Sequence, residues 1–519
     1  MAASTPQDVQ RHDAVQRSAG VASPRPGNGA FSAAARRRSV LAETFVGTTR
    51  PAWSPIVLAG IVRIVEFVLI ALTGAGVHLF YIAPTHGYEA AYLIAVPAIA
   101  AAAVVMFQAL DINHVNAFRH PLMPGFRLAG GWSLVILGML AVVFFSKLEG
   151  VFSRVWLGTW YVLGLAVVLL WRGILSIIVQ ELTRRGKLDR RTAVVGGGEA
   201  GEALLRELSR QNDTELVICG VFDDRMDDRS PDVVGGYPRL GTVDDLVEFA
   251  RRVRLDLVIF TLPITAEERL LAMLRKLWVL PVDIRLAAHT NKLRFRPRSY
   301  SYIGHVPVLD VLDKPIADWD VVMKWAFDKI VGTIALVLLS PILLVAAIAV
   351  KLDSPGPILF KQKRYGFNNE LIEIYKFRSM YVASLDPTAS RLVTRNDPRV
   401  TRVGRFIRKT SIDELPQLLN VIFKGNLSLV GPRPHAVHAK AAERMYDEVV
   451  DGYFARHRVR PGITGWAQIN GWRGETDTPE KIQQRVKHDL EYIENWSIPF
   501  DLYILAVTPF ALLKSEHAY

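Results

Sequence analysis

Beyond a polar first stretch the chain carries four long apolar segments, at about 56–82, 89–110, 128–146 and 155–179. Each is close to or beyond the ~20 residues that a helix needs to cross a bilayer, so four transmembrane helices are predicted within 51–182. From about residue 190 the pattern shifts to short apolar runs, Thr192–Val195, Leu216–Phe222 and Leu257–Phe260, alternating with amphipathic stretches such as Gly201–Arg210. That rhythm predicts a parallel α/β domain over 183–290. Residues 291–320, with scattered Pro, Tyr and Gly, read as a linker. A fifth apolar segment, Trp325–Val350, opens the remaining region, 321–519, which is otherwise polar and expected to be mostly helical. The fold class predicted is membrane α plus α/β.

The flanking charges orient these segments. The loop at Ala83–Gly87 has no Lys or Arg, the next holds Arg119 and Arg127, and segment four runs into Arg184, Arg185, Lys187, Arg190 and Arg191. The excess of cations on cytoplasmic loops then places both the first 50 residues and everything after segment four in the cytoplasm. Residues 1–50, with Arg36–Arg38, read as a disordered basic tail. Arg63 and Glu66 lie three apart in segment one and so share a helix face. A mutually neutralising pair is expected there, with a functional intramembrane pair as the alternative.

Segment five is basic at both ends. Lys324 and Lys329 sit at its start, and Lys351, Lys361, Lys363 and Arg364 follow it, so a spanning helix would strand one cluster outside. Ser340-Pro341 lies at its centre, where proline removes a helical hydrogen bond and disfavours helical geometry before it. The segment is therefore predicted to enter the membrane, bend at Ser340-Pro341 and return to the cytoplasmic face. A kinked spanning helix is the alternative.

Composition narrows the partners. The net charge is +12 while half of the residues are hydrophobic, which favours a lipid surface or a phosphorylated substrate over nucleic acid. The single cysteine, Cys219, excludes an intrachain disulfide and reads as core packing.

Candidate chemistry concentrates after residue 361. Lys376, Arg378, Arg395, Arg399, Arg402, Arg405, Arg408 and Lys409 form a basic field, and Arg402, Arg405 and Arg408 would share a face in a helix. Attraction to anionic lipid would explain such a face on its own. Immediately downstream, however, comes Ser411-Ile412-Asp413-Glu414-Leu415-Pro416-Gln417. The spacing of Ser411 and Glu414 predicts a capping box, with Asp413 and Glu414 at the positive end of a helix. Two adjacent carboxylates in a field of arginines can hold a divalent cation and leave an oxygen free to attack phosphorus. Gly431-Pro432-Arg433-Pro434 adds a rigid turn with one more arginine, and Arg460–Gly471 is a second turn-rich segment suited to a nucleotide pocket edge or to plain structural turns.

These motifs together resemble the polyprenyl-phosphate sugar phosphotransferases, the monotopic phosphoglycosyl transferases. The resemblance rests on Lys376-Phe377-Arg378-Ser379-Met380, Asp413–Gln417, Gly431–Pro434 and Arg460–Gly471, and four helices followed by an α/β domain are like the large, glucose-transferring members. Gly471-Trp472-Arg473-Gly474-Glu475-Thr476-Asp477 looks closer to that branch than to the galactose one. The resemblance implies that Asp413 is a nucleophile, Glu414 its partner at a Mg²⁺ site, and Lys376, Arg378, Arg408, Arg433 and Arg460 binders of substrate and phosphate. It implies a UDP-sugar donor, an undecaprenyl phosphate acceptor and a bacterial inner membrane with the catalytic domain on its cytoplasmic face. A homodimer and downstream glycosyltransferases are the further partners expected, and no nucleic acid.

A second glycine-rich motif, Gly196-Gly197-Gly198-Glu199-Ala200-Gly201, joins a predicted strand to a predicted helix, with Asp223 about 20 residues on. Gly196, Gly198, Gly201 and Asp223 are thus candidates for an accessory nucleotide site, with a purely architectural turn as the alternative. A membrane-anchored nucleotide-sugar dehydratase or epimerase would share such a domain. Those enzymes usually pair Tyr with Lys four residues on, and none of the 15 tyrosines here has one.

Overall fold

The computed structural model describes residues 53–147, 150–211, 216–225, 231–263, 266–288, 301–303, 306–382, 397–435, 440–441, 444–446, 450, 452–474 and 478–514. The expected basic tail, Arg395 and residues 475–477 lie outside these. The chain forms two compact units, 50–190 and the remainder.

The first unit is a bundle of α1 (Pro55–Val77, continued by a wider turn His78–Ile82), α2 (Ala90–Ala109), α3 (Leu122–Phe145) and α4 (Arg154–Arg184). All four are long and apolar enough to cross a membrane. Trp132, Trp156 and Trp160 fill the centre, and their indole N–H groups donate to Tyr161 O, Gly74 O and Ile70 O, each at 3.0 Å. Gly74 is required there, because a Cβ would lie 2.5 Å from the Trp160 ring. Glu66 corrects the expected pairing with Arg63. It is fully buried and its ion pair, 2.6 Å long, is with Arg172 of α4, which also donates to Ile112 O and Asn113 Oδ1. A buried carboxylate takes whichever cation the bundle brings to it, and sequence spacing reports only neighbours on the same helix.

The second unit starts with an eight-stranded sheet in the order β3-β4-β2-β1-β5-β6-β8-β7. Its strands are β1 (Arg190–Val195), β2 (Leu216–Phe222), β3 (Val233–Val234), β4 (Tyr237–Gly241), β5 (Leu257–Phe260), β6 (Asp283–Ala287), β7 (Ser301–Ile303) and β8 (Val306–Leu312). The α5 (Glu199–Arg210), α6 (Val243–Arg252) and α7 (Glu267–Leu277) helices connect them. The β1–β5 and β5–β6 pairs are parallel, as the alternating pattern predicts. The stretch read as a linker instead supplies β7 and β8, antiparallel additions to the sheet edge at β6. Val306 and Val308 are buried there, an alternation that the surrounding Pro and Tyr residues obscure in the sequence.

Cys219 lies on β2, 3 % exposed, and burial above all pushes its thiol up to about 12. Since the thiolate is the reactive form, the folded protein should not react with iodoacetamide at pH 8 over an hour, whereas the denatured chain should take up one label. Stoichiometric labelling of the folded protein, read by intact mass, would contradict this burial.

The remainder is the domain that carries the acidic motif. It opens with α8 (Asp318–Asp353) and continues through the hairpin β9 (Leu359–Tyr365) and β10 (Leu371–Phe377), α9 (Arg402–Lys409), β11 (Ser428–Val430), β12 (Gly462–Thr464), α10 (Pro479–Glu494) and α11 (Ile498–Lys514). α8 is helical throughout, including Pro341. Pro341 cannot donate to Val337 O, and the Ser340 hydroxyl supplies the missing bond at 2.7 Å. Both ends of α8 are tied to this domain: Lys324 donates to Val430 O (3.0 Å) and Asp501 (2.6 Å), and Asp353 accepts from Val403 N (3.1 Å). Between them Ile334, Val337, Leu338, Leu344, Val345 and Ile348 are exposed. α11 buries Asp501 and Ile504 against the domain and leaves Leu502, Tyr503 and Phe510 outside.

Candidate active site

Asp413 and Glu414 sit on a single 3-10 turn, Ile412–Glu414, entered through Ser411 in the left-handed region (φ 58°). The capping box expected of Ser411 and Glu414 does not form. Ser411 makes no side-chain cap bond and its hydroxyl instead accepts from Arg473. Glu414 turns away to accept from Lys376 Nζ (2.9 Å) and Arg433 Nη2 (2.5 Å), both on its Oε1. Two full charges outcompete a neutral backbone N–H for a partly buried carboxylate.

The motifs that lie apart in sequence are joined by short backbone contacts. β11 and β12 pair in parallel, with Gly431 N donating to Thr464 O (2.9 Å) and Gly462 N to Pro432 O (3.0 Å). A Cβ on Gly462 would lie 2.1 Å from Gly431 N, so this approach needs glycine. The pairing aims Arg433 at Glu414. Lys376 is positioned by Asn420, whose side chain accepts from Tyr375 N (2.9 Å) and donates to Glu373 O (2.7 Å), locking β10 to the segment after the acidic turn. Asn420 is fully buried, and its role was not legible in the motif.

The two carboxyls are pushed in opposite directions. Burial and the neighbouring Glu414 charge hold Asp413 up at about 6. Burial would raise Glu414 too, but the Arg433 and Lys376 cations hold it well below the usual carboxylate range. Asp413 makes no side-chain hydrogen bond among the described residues, while Lys376, Arg408 and Arg433 all act on it through their charge. One acid is therefore fixed and ionised, and the other is left free beside it.

Of the other expected phosphate binders, Arg408 acts on Asp413 through its charge, whereas Arg402 and Arg405 of α9 are exposed. Arg378 is corrected. It is 1 % exposed, and its guanidinium donates to Val350 O (3.4 Å) in the last turn of α8 and, just past the helix end, to Ser354 O (2.6 Å), Ser354 Oγ (3.1 Å) and Pro355 O (2.7 Å). It is a helix cap with no donor directed at the acidic pair. Arg460 is exposed, and no described hydrogen bond brings it to the pair. In their place the fold supplies Arg364, which lines one pocket with Lys376, Glu414, Gln417 and Arg433, and Arg473, which reaches Ser411. Burial first, then Arg433, lowers Arg364 to about 10, so it stays cationic at neutral pH. Beneath Arg433, the buried Arg456 donates to its carbonyl (2.6 Å) and pairs with Asp489 (2.6 Å). His435 lies between Arg456 and Arg485, and burial with those two charges holds it neutral.

Two adjacent carboxylates, one of them without a side-chain hydrogen bond among the described residues, suit Mg²⁺, which takes one or two carboxylates and fills its shell with phosphate oxygens and water. No group of three or more potential ligands occurs among the described residues, so phosphate would have to complete the site.

The glycine-rich turn of the α/β domain is built differently. Asp223 accepts from Gly197 N (2.8 Å) and pairs with Arg225, so the amide that would face a phosphate already meets a carboxylate. Gly201 packs against Gly196 O, which a Cβ would approach to 2.2 Å, and Glu199 and Glu202 occupy the first turn of α5. Gly196, Gly201 and Asp223 thus take part in the packing and hydrogen bonding of the turn itself.

The chain is similar to known proteins over most of its length. The family described as bacterial sugar transferase matches residues 319–515, and one described as a CoA-binding domain matches 108–288. A UDP-glucose:undecaprenyl-phosphate glucose-1-phosphate transferase of Escherichia coli K12 is 37 % identical over 76 % of this chain and 82 % of its own length. An enzyme of the same name from Xanthomonas campestris pv. campestris is 35 % identical over 71 % of this chain and 75 % of its own length. A UDP-N-acetylgalactosamine-undecaprenyl-phosphate N-acetylgalactosaminephosphotransferase of Aeromonas hydrophila is 42 % identical over 36 % of this chain and 42 % of its own length. With relatives of this identity matched over most of both chains, the chain belongs to the bacterial sugar transferase family.

Proposed function

We propose that the protein transfers glucose 1-phosphate from UDP-glucose to undecaprenyl phosphate, releasing UMP and forming undecaprenyl-diphosphate-glucose, the first step of an exopolysaccharide or capsule. The observation that carries this reading is the division of labour between Glu414, clamped by Lys376 and Arg433, and Asp413, which makes no side-chain hydrogen bond among the described residues. An Asp413 oxygen attacks the β-phosphorus of the donor, the bond to the bridging oxygen breaks, and UMP leaves with that oxygen. The sugar phosphate is then held as an acyl phosphate on Asp413. An oxygen of undecaprenyl phosphate attacks the same phosphorus, and Asp413 departs as a carboxylate. Lys376, Arg433 and Arg364 lie where they can neutralise the oxygens of the transferring group, which is the main task in phosphoryl transfer. Mg²⁺ held by Asp413 and Glu414 would add a divalent charge to these three cations against the diphosphate.

The glucose assignment rests on the long relatives, and the N-acetylgalactosamine enzyme supports the same reaction with another sugar. Incubating membranes that hold the protein with a panel of UDP-sugars, and recording which releases UMP, decides between them. Release with none of the panel would overturn the reaction itself.

The proposed topology has four crossings, α8 as a re-entrant segment, and the catalytic domain on the cytoplasmic side of a bacterial inner membrane. The attachment of both ends of α8 to one domain, with the apolar middle exposed, supports it. Single cysteines near Asp320 and Asn369, in a Cys219→Ser background, should not label from outside with an impermeant thiol reagent. Replacing Ser340-Pro341 by Ala-Leu should produce a labelled fraction at the Asn369 site. Labelling of that site in the parent topology, without labelling near Asp320, would mean that α8 spans.

A further inference from the structure

Between the second half of α8 and the acidic turn lies an apolar slot of about 710 Å³, within the usual size range for small-molecule sites. Leu343, Ala347 and Lys351 form one wall, four residues apart and so on one helix face. Phe377, Pro416 and Leu419 are prominent in the other. We propose that this slot seats the first isoprene units of the polyprenyl phosphate acceptor, with its phosphate directed past Phe377 and Pro416 to Asp413; the proposal rests on the reaction proposed above.

Three observations point to that occupant. The opposing wall is made from the neighbours of the chemistry: Phe377 follows Lys376, which pairs with Glu414 at 2.9 Å, and Pro416 comes two residues after Glu414. An apolar chain in the slot therefore ends beside the carboxylates. The helix that forms the first wall turns Val345 and Ile348 outward and carries the exposed Leu344 at the rim of the slot, so the slot opens beside a face suited to lipid, the phase in which a polyprenyl tail resides. The cation in the wall, Lys351, is exposed, with its amine on Gly356 O at 3.2 Å, and it puts a positive charge on the rim of the slot, which attracts an anionic lipid head group. A soluble nucleotide has no use for this lining, whereas a lipid phosphate needs an apolar track and a polar end together.

The test uses the full-length protein in nanodiscs and reads each half of the reaction. Ala347→Phe fills the slot, and Leu419→Phe fills it from the opposite wall. Both variants should give the parental burst of UMP from UDP-glucose without acceptor, which also shows that they are folded. Both should raise the KM for undecaprenyl phosphate at least tenfold. An unchanged acceptor KM in variants with a normal burst would overturn the slot. A parent protein that gives no burst would count against the covalent reading and leaves the slot to a second measurement, labelling by a photoactivatable polyprenyl phosphate. Labelled peptides within 343–359, lost on adding unlabelled undecaprenyl phosphate, are expected. Absence of label there would refute the proposal, as would equal labelling by a photoactivatable phosphatidylethanolamine that undecaprenyl phosphate does not displace, the mark of a general lipid seat.

Discussion

Asp413→Asn is expected to reduce sugar-phosphate transfer by at least about a thousandfold, the scale seen when a covalent nucleophile is removed and binding remains. Asparagine keeps the shape of the side chain but cannot displace UMP. Because Glu414, Lys376 and Arg433 hold one another without Asp413, the turn should persist and the variant should extract and purify like the parent. The sign of the stability change follows from the raised Asp413 group. Its folded value of about 6 exceeds the ordinary 3.8, so ionisation opposes folding, increasingly from about pH 4 to pH 6 and fully above. The Asn variant should therefore be at least as stable as the parent at pH 7.5, and that advantage should vanish near pH 4. A folded variant that retains UMP release within about tenfold of the parent would remove Asp413 from the role of nucleophile. Glu414→Gln should behave differently, since it leaves Lys376 and Arg433 without their anion and should weaken both rate and the response to Mg²⁺.

The second large effect is structural. Asp501, fully buried on α11, accepts from Lys324 Nζ (2.6 Å), Tyr492 OH (2.8 Å) and Trp496 Nε1 (3.2 Å) and so fastens α8 to the domain. Asp501→Ala leaves Lys324 a largely buried cation whose nearest remaining carboxylate, Asp328, is 3.6 Å away. Breaking one side of such a pair costs about 3–5 kcal/mol, because the orphaned charge stays desolvated. The denaturation midpoint in detergent should fall accordingly. The double variant Lys324→Met, Asp501→Leu should recover much of the loss, since it removes the stranded charge. A single variant that loses less than about 1 kcal/mol would show that Lys324 escapes to solvent and that the pair does not anchor α8.

How much of this was legible in the chain depends on the range of the interactions concerned. Apolar segments long enough to cross a bilayer and the alternation of short apolar runs with amphipathic stretches are local patterns, and four of the helices and the parallel strands appear where those patterns lie. Asp413 and Glu414 are adjacent in sequence and stay adjacent in any fold, so the acidic pair was visible before its surroundings were. Its nearest cations were partly visible as well: Lys376 and Arg433 reach Glu414, but Arg378, two residues from Lys376, is spent on the carbonyls that end α8. A strand points successive side chains to opposite faces, and residues two apart can still diverge at its end, so composition alone could not separate a ligand binder from a cap.

What only the tertiary structure decided is which partner each charged or polar group finds. Glu66 meets Arg172 and not its own helix neighbour, Ser411 meets Arg473 and not a helix amide, and Asp223 closes the glycine turn upon itself. Ser301–Ile303 and Val306–Leu312 became sheet edge because β6 offered unpaired backbone groups that a short, proline-bearing strand could satisfy. Hydrophobic periodicity and covalent adjacency are properties of the chain and survive in isolation. Ion pairs and hydrogen bonds across the fold are set by which groups packing buries together, and a buried charge must take the partner it is given.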